Sequence, residues 1–386
     1  MTTRPMRRAK GAGGIRRRSN GSWEIRYYGP ADIDGNQKRI YETLRGSRRD
    51  AERVLRDRVG AIERDDFAEN SKETVAEFLW RWLDIYVSTN TSLRTQQGYK
   101  VNVRRVLPYI GAIPLQKLRP QHVQKMYADL TGRGLSPQTV RLTHRTLSEA
   151  LSHGVKWGVV TRNVSSATSA PKPKRKQQKM WDAPTINRFL RIAEGSSFAD
   201  LYHLAIRTGM RRSELAGLQW EYVDLERAQL SVVNTLQRIT GRGLVEGNPK
   251  TLLSRRMIAL SPKAVSLLKS IQRKQIEQRL AAGPVWEITG YVFTQRKGRK
   301  LDPDKITKDF TRIVRQNDLP RISLKDLRHA HATLLLVAGV HPKVVSERLG
   351  HSNISITMDI YSHVMPGMQE AAAQALDDEL AAGGDL

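Results

Sequence analysis

Three short stretches in the C-terminal half concentrate side chains able to hold and act on an anion. In the first, Thr208-Gly209-Met210-Arg211-Arg212-Ser213-Glu214, an arginine opens an amphipathic helix directly after Thr-Gly. A guanidinium there adds its charge to the positive end of the helix, so two sources of positive potential converge on one anion. Taken alone, Arg211 and Glu214 also read as an ordinary surface i,i+3 pair. The second stretch, Lys325-Asp326-Leu327-Arg328-His329-Ala330-His331, sets Lys325, Arg328 and His329 on the first turn of an otherwise apolar helix. Charged groups beside a buried stripe need partners or a ligand. The third, Leu349-Gly350-His351, is followed ten residues later by Tyr361 in Met358-Asp359-Ile360-Tyr361-Ser362-His363. Individually, a histidine next to glycine reads as a cap and a tyrosine at helical spacing as a half-buried core residue.

The charge balance points to a polyanion. The 386 residues carry 65 Lys+Arg against 38 Asp+Glu, a formal net charge of +27. Such a chain binds nucleic acid by counterion release whatever else it does. With no cysteine there is no disulfide framework, thiolate metal site or thiol nucleophile, which fits a reducing, cytoplasmic setting. His329, His331, His351 and His363 lack accompanying acidic or cysteine ligand spacing, so no metal site is expected. No apolar run approaches the ~20 residues of a membrane span, and no apolar segment follows the basic N-terminus. The glycines at 11–14 lie in a basic arm rather than between strand and helix, so they are not a nucleotide loop.

The elements that must position these groups fall into several regions, and the expected fold class is a multi-domain chain. Residues 1–66 read as a basic tail, three strands (around 13–18, 22–28 and 38–44) and a helix over 47–64. Asp34-Gly35-Asn36 supplies the turn before the third strand, and Ser47 the helix cap. Residues 72–165 read as all-helical: Val75, Phe78, Leu79, Trp82, Leu83 and Tyr86 form one apolar stripe. Further helices are expected over 92–109, 119–131 and 136–157, the last opening with Ser136-Pro137. Residues 166–180 form a cationic linker, and 181–365 a mixed α/β, mainly α domain with strands near 229–235, 255–260 and 290–294. The stretch 240–247 reads as mobile. The tail over 366–386 is Ala-rich, acidic and helix-prone, with Leu376 and Leu380 at i,i+4.

Thr-Gly-x-Arg-x-x-Glu, then Lys-x-x-Arg-His, then Leu-Gly-His with a tyrosine ten residues on, resembles in order and spacing the tyrosine recombinase, or phage integrase, family. By motif the resemblance covers residues 181–364. By architecture alone, the sheet-plus-helix region is similar to the arm-binding domain of integrases from temperate phages and integrative conjugative elements. The helices after it are similar to the family's core-binding domain.

The resemblance implies a site-specific recombinase that cuts and rejoins DNA through a Holliday junction, integrating or excising a mobile element. Tyr361 would attack the scissile phosphate to form a 3′-phosphotyrosyl bond and release a 5′-hydroxyl, which reverses the step on a partner strand without metal or ATP. Arg211 and Arg328 would stabilise the pentavalent phosphate through their paired donors. Lys250, in Asn248-Pro249-Lys250-Thr251, would protonate the leaving oxygen, the alternative being a solvated loop lysine with Arg255 and Arg256 obscuring the register. His351 would donate to the phosphate or help position it, Glu214 would orient the cluster, and His329 would support it, with His331 and His363 structural. Three residues before Arg328 the family usually has histidine. Lys325 there can still donate to phosphate, but as a base, with an ordinary pKa near 10, it would need a depressed pKa.

DNA recognition is expected to be divided along the chain. Trp23, Arg26 and Tyr28 of the sheet are candidates for groove contact, with a core role equally open for Trp23. Arg94, Lys100, Arg104, Arg141, Arg145 and Lys156 would track phosphates in the helical region, and Lys174, Arg175 and Lys176 in the linker. The family implies a C-shaped clamp on duplex DNA carrying core-type and arm-type sites, and a homotetramer in which the tail docks on a neighbouring protomer. It also implies possible use of a host DNA-bending protein and an excisionase. Two other readings share these residues: a type IB topoisomerase-like enzyme, and a catalytically silent DNA-binding regulator on the same fold.

Overall fold

The computed structural model describes residues 13–31, 35–63, 72–173, 180–247, 255–364 and, in the tail, 373–374, 376–378 and 380. Asp34, Lys174, Arg175, Lys176 and Lys250 lie outside the described residues, as do the side chains at 361–364, those of Tyr361 and His363 included. The chain divides into two compact units, 1–175 and 176–386.

In the first unit, β1 (Gly14–Arg17), β2 (Trp23–Ala31) and β3 (Gln37–Leu44) form one antiparallel sheet in that order. Strand alternation sends Trp23, Ile25 and Tyr27 to the face that packs on Ala51 and Leu55 of α1 (Arg48–Glu63). The Ser47 hydroxyl caps α1 by accepting from the Asp50 backbone, while the Asp50 carboxylate accepts from the Ser47 backbone. Opposite α1 the sheet exposes Arg26, Tyr28, Arg39 and Tyr41. The helical region begins with α2 (Val75–Trp82), which opens on a reciprocal Thr74–Glu77 capping box. It widens into a π turn over Leu83–Val87 and ends in α3 (Ser88–Asn90). α4 (Leu93–Ile110), α5 (Pro120–Gly132) and α6 (Pro137–Lys156) follow. Ser136 caps α6 through Thr139 N, with Pro137 as first helical residue. Phe78, Trp82, Val106, Met126 and Leu147 share one core, each full burial being worth roughly 1.5–3 kcal/mol.

In the second unit, α7 (Ala183–Ala193), α8 (Ala199–Thr208) and α9 (Arg212–Ala216) precede five short strands. Of these, β4 (Val223–Asp224), β5 (Gln229–Val232) and β8 (Arg256–Ala259) form one antiparallel sheet, and β6 (Thr235–Ile239) with β7 (Gly243–Gly247) a separate hairpin. The strand expected over 229–235 therefore divides after Val232. Residues 240–247, read as mobile, are instead the turn and second strand of the hairpin, with Arg238 paired to Leu244. The strand expected near 290–294 reduces to two isolated bridges, Tyr291 with Gln219 and Thr294 with Lys300. Tyr291, Val292 and Phe293 are all buried, so this is a core-filling loop segment without strand alternation.

Helices α10 (Pro262–Ala282), α11 (Pro303–Gln316), α12 (Asp326–Val337), α13 (Pro342–Leu349) and α14 (Ser355–Val364) complete the unit. Its core is built on aromatic rings: Phe189 lies 5.2 Å from both Trp181 and Phe310, centroid to centroid. Trp181 also donates to the Pro320 carbonyl at 2.8 Å, which fixes the start of this unit to its far side. Ile360 of α14 packs with Leu336, Val345 and Leu349. That contact seats α14, and the backbone of Tyr361, against α12 and α13.

Candidate active site

The site forms around the C-terminal end of α13, where helical geometry leaves carbonyls without intrahelical donors. Three guanidinium groups reach three successive carbonyls there. Arg256 Nε donates to Arg348 O at 2.6 Å, Arg328 Nη2 to Leu349 O, and Arg211 Nη2 to Gly350 O at 3.1 Å. Each meets the negative end of the helix dipole. Gly350 ends the helix at φ 64°, a left-handed conformation that suits glycine. Arg328 Nη1 also donates to Gly209 O at 2.9 Å. Gly209 has φ 65°, and a Cβ on it would sit 2.5 Å from Leu349 and 2.6 Å from His331. Both its backbone and its missing side chain are needed for this closeness.

Arg211 and Arg328 are held from a second side. Arg211 stands at the N-cap of α9. Its backbone donates to Glu214 Oε2 at 2.9 Å and its Nη1 to Oε1 at 2.6 Å. Glu214 is 1% exposed, so the surface-pair reading fails: its carboxylate lies in the core and also takes Arg256 Nη2 at 2.9 Å. Burial raises the Glu214 pKa, but Arg256 and then Arg211 outweigh it, and the group stays ionised below its ordinary range. Burial, followed by the neighbouring Arg211, pushes Arg328 down to about 9, still a cation at neutral pH. Burial and the charges of Arg328 and Arg211 push His351 down to about 4, so its imidazole is neutral.

Two histidines have other tasks. His331 Nδ1 donates to Ile206 O at 2.7 Å, which leaves Nε2 to accept from Arg348 Nε at 3.3 Å. Arg348 then ties the Arg207 and Ala259 carbonyls together, each at 3.0 Å. Burial foremost holds the His331 pKa at about 4. Unfolding restores about 6.5, so the unfolded chain binds more protons between these values. The resulting stability, on the order of 3 kcal/mol, is complete above about pH 6.5 and lost as the pH falls toward 4. Melting curves across this window should therefore be steeper in pH for the wild type than for His331→Gln; equal slopes would refute the assignment. His329 is buried, and its Nε2 has no hydrogen-bond partner among the described residues.

Of the residues singled out in the sequence, Arg211, Glu214, Arg328 and His351 come together. Lys325 occupies the N-cap position of α12 and is exposed at the rim. Tyr361 lies on α14. Arg94, Lys100 and Arg104 on α4, and Arg141, Arg145 and Lys156 on α6, are all exposed. Arg26 and Tyr28 are on the open face of the N-terminal sheet, whereas Trp23 is on the α1 side, packed with the core. Sequence reasoning missed Arg256 and Arg348 as parts of the cluster. The strand pattern held a signal: Arg256 lies two residues before the buried Ile258 and so shares its inward face.

Comparison with known proteins agrees with this architecture. The profile of the phage integrase family matches residues 182–367, and that of the phage integrase N-terminal SAM-like domain matches 74–131. A tyrosine recombinase XerC-like protein of Caldanaerobacter subterraneus subsp. tengcongensis is 27% identical over 365 residues, covering 89% of this chain and 93% of the relative. The Tn1549 transposon integrase (residues 82–397), solved with circular intermediate DNA, superposes with TM-score 0.68 at 23% identity, covering 78% of this chain and 99% of that one. A lambda integrase tetramer bound to a Holliday junction gives TM-score 0.58 at 18% identity, with 92% and 96% covered. At these identities the two structures speak for the fold, while the two profiles and the order of the site residues speak for the family. The chain belongs to the phage integrase family of tyrosine-type site-specific recombinases.

Proposed function

We propose that this recombinase integrates and excises a mobile element, joining DNA ends through Tyr361 with no metal and no ATP. The convergence of Arg211, Arg328 and a neutral His351 beside the helix bearing Tyr361 is the observation that carries the reading. A scissile phosphate bound there would meet two guanidiniums already oriented by carbonyls and by Glu214, so little reorganisation accompanies charge development. The Tyr361 oxygen attacks phosphorus, the 5′-oxygen leaves with a proton from Lys250, and the 3′-phosphotyrosyl bond conserves the phosphodiester for religation. Lys325 donates to the phosphate from the rim. Residues 1–66 bind arm-type sites through the Arg26–Tyr28 face, residues 72–165 bind core-type sites through α4 and α6, and the linker follows the backbone. Four protomers, coupled by the acidic tail, exchange strands through a Holliday junction in the nucleoid, with a DNA-bending protein and an excisionase setting direction.

The test uses nicked duplexes recovered by covalent capture from a random-sequence library, incubated with the full chain in EDTA. A DNA 3′-end attached to the Tyr361 peptide, and recombinant products from two such sites, are the expected results. Relaxation of supercoiled plasmid lacking any such site would favour the topoisomerase reading instead. Tight binding with no adduct would favour the silent regulator.

Lys250 has its own signature. Lys250→Ala should slow cleavage by about 10²–10³, within the range for a general acid. A substrate with sulfur as the bridging 5′ atom should restore the rate, because a thiolate leaves without protonation. If sulfur gives no rescue, Lys250 is not the acid.

A further inference from the structure

We propose that the buried hydroxyl of Thr357 is a positioning group that keeps the His351 proton on Nε2. The inference rests on His351 being a donor to the phosphate, and adds what makes a neutral imidazole able to donate. A neutral ring has one N–H and one lone pair. Only the tautomer protonated on Nε2, with Nδ1 turned to the protein, presents a donor to an incoming anion. His351 Nδ1 lies 2.8 Å from Thr357 Oγ1, and Thr357 is 0% exposed.

The direction of that hydrogen bond follows from where the hydroxyl proton can go. Buried O–H groups are almost always satisfied. Other helical threonines of this chain donate to the carbonyl four residues back: Thr131 to Tyr127, Thr143 to Thr139, Thr208 to Leu204 and Thr311 to Thr307. Thr357 is on the first turn of α14, which begins at Ser355, so the residue four back, Asn353, precedes the helix. Among the described residues, His351 Nδ1 is the acceptor within reach of its hydroxyl. The hydrogen bonds that Arg211 and Arg328 make among the described residues go to carbonyls and to Glu214, none of them to the His351 ring. The same pairing fixes the ring about its own axis, since His351 N is already tied to Ser346 O at 3.1 Å.

The full-length chain labelled with ¹⁵N-histidine decides the tautomer directly. Its long-range ¹⁵N–¹H correlations should show His351 protonated on Nε2, and a proton on Nδ1 would overturn the proposal. In Thr357→Val the two ring nitrogens should move toward the averaged shifts of a tautomer mixture. Single-turnover cleavage of captured nicked duplexes should slow about tenfold, less than the 10²–10³ of deleting a donor outright, with gel-shift affinity unchanged. Thr357→Ser keeps the hydroxyl and should restore both the spectrum and the rate. Wild-type behaviour of Thr357→Val, or failure of Thr357→Ser to restore it, would refute the role. His351→Leu, which has no donor, separates the underlying reading: full activity in that variant removes His351 from phosphate binding, whatever its tautomer. A slow His351→Leu beside a fast Thr357→Val would leave the phosphate role standing and the Thr357 role refuted.

Discussion

Replacing Tyr361 by Phe is expected to abolish the covalent protein–DNA adduct, a fall of at least about 10⁴ as for nucleophile removal in other covalent enzymes. DNA affinity in the same preparation should stay within about twofold. The substitution removes one oxygen and keeps the ring, while Ile360 still packs α14 on Leu336, Val345 and Leu349. The cations proposed to bind DNA are elsewhere: Arg211 at the N-cap of α9, Arg328 on α12, and the exposed bases of α4 and α6. Loss of the adduct with retained binding is thus specific to covalent chemistry. A phosphate on Arg211 and Arg328 has no other proposed nucleophile, and with no cysteine in the chain no thiol substitutes. Denaturing gels of nicked duplexes incubated with wild type and Tyr361→Phe read the result. An adduct that persists in the phenylalanine variant would put the nucleophile on another residue.

The same comparison shows why part of the site was legible from sequence and part was not. Arg211, Arg328 and His351 stand in short motifs with fixed spacing, because each is delivered by the end or first turn of a helix. Their neighbours along the chain, Thr-Gly before Arg211 and Leu-Gly before His351, are constrained by the same turns. Gly209 is needed for the approach of Leu349 and His331, and Gly350 for the helix end. Arg256 is delivered by a strand from a different part of the chain, and its partners are a carboxylate 42 residues away and a carbonyl 92 residues away. No local pattern encodes such pairings. The helices α4, α5 and α6 were readable from their stripes and caps. The β6–β7 hairpin was not, because its polar turn and short strands look like a loop until Glu246 is seen accepting from Tyr291 at 2.6 Å. Thr357 escaped notice for the same reason as Arg256: its hydroxyl is an ordinary helical threonine until His351 is brought to it.

Glu214→Gln should be the most destabilising single change at the site, by about 3–5 kcal/mol, the usual loss when one partner of a buried ion pair is removed. Glu214 is 1% and Arg256 5% exposed at their side chains. Burial first, then the nearby charges of Arg211 and Arg256, push the Arg328 pKa down, while Glu214 supports its charge. Without the carboxylate, three guanidiniums face one another with only backbone carbonyls between them. Arg256→Met should cost less, because Glu214 keeps Arg211 as its partner. The double variant Glu214→Gln/Arg256→Met removes the uncompensated cation and should recover part of the stability lost in the single glutamine variant, a coupling that a double-mutant cycle measures. Cleavage should behave differently. Arg211 loses its side anchor in both Glu214 variants, so both should cut captured nicked duplexes about 10²–10³ times more slowly, as when a preorganised donor is lost. Stability recovered without cleavage would separate the two tasks of Glu214: neutralising a buried cation cluster, and aiming Arg211 at the phosphate. A double variant less stable than Glu214→Gln would mean that Arg256 is held by its bond to Arg348 O rather than by the carboxylate. Urea melts of the full chain labelled with fluorotryptophan, followed by the ¹⁹F resonance of Trp181, supply the stabilities for the cycle.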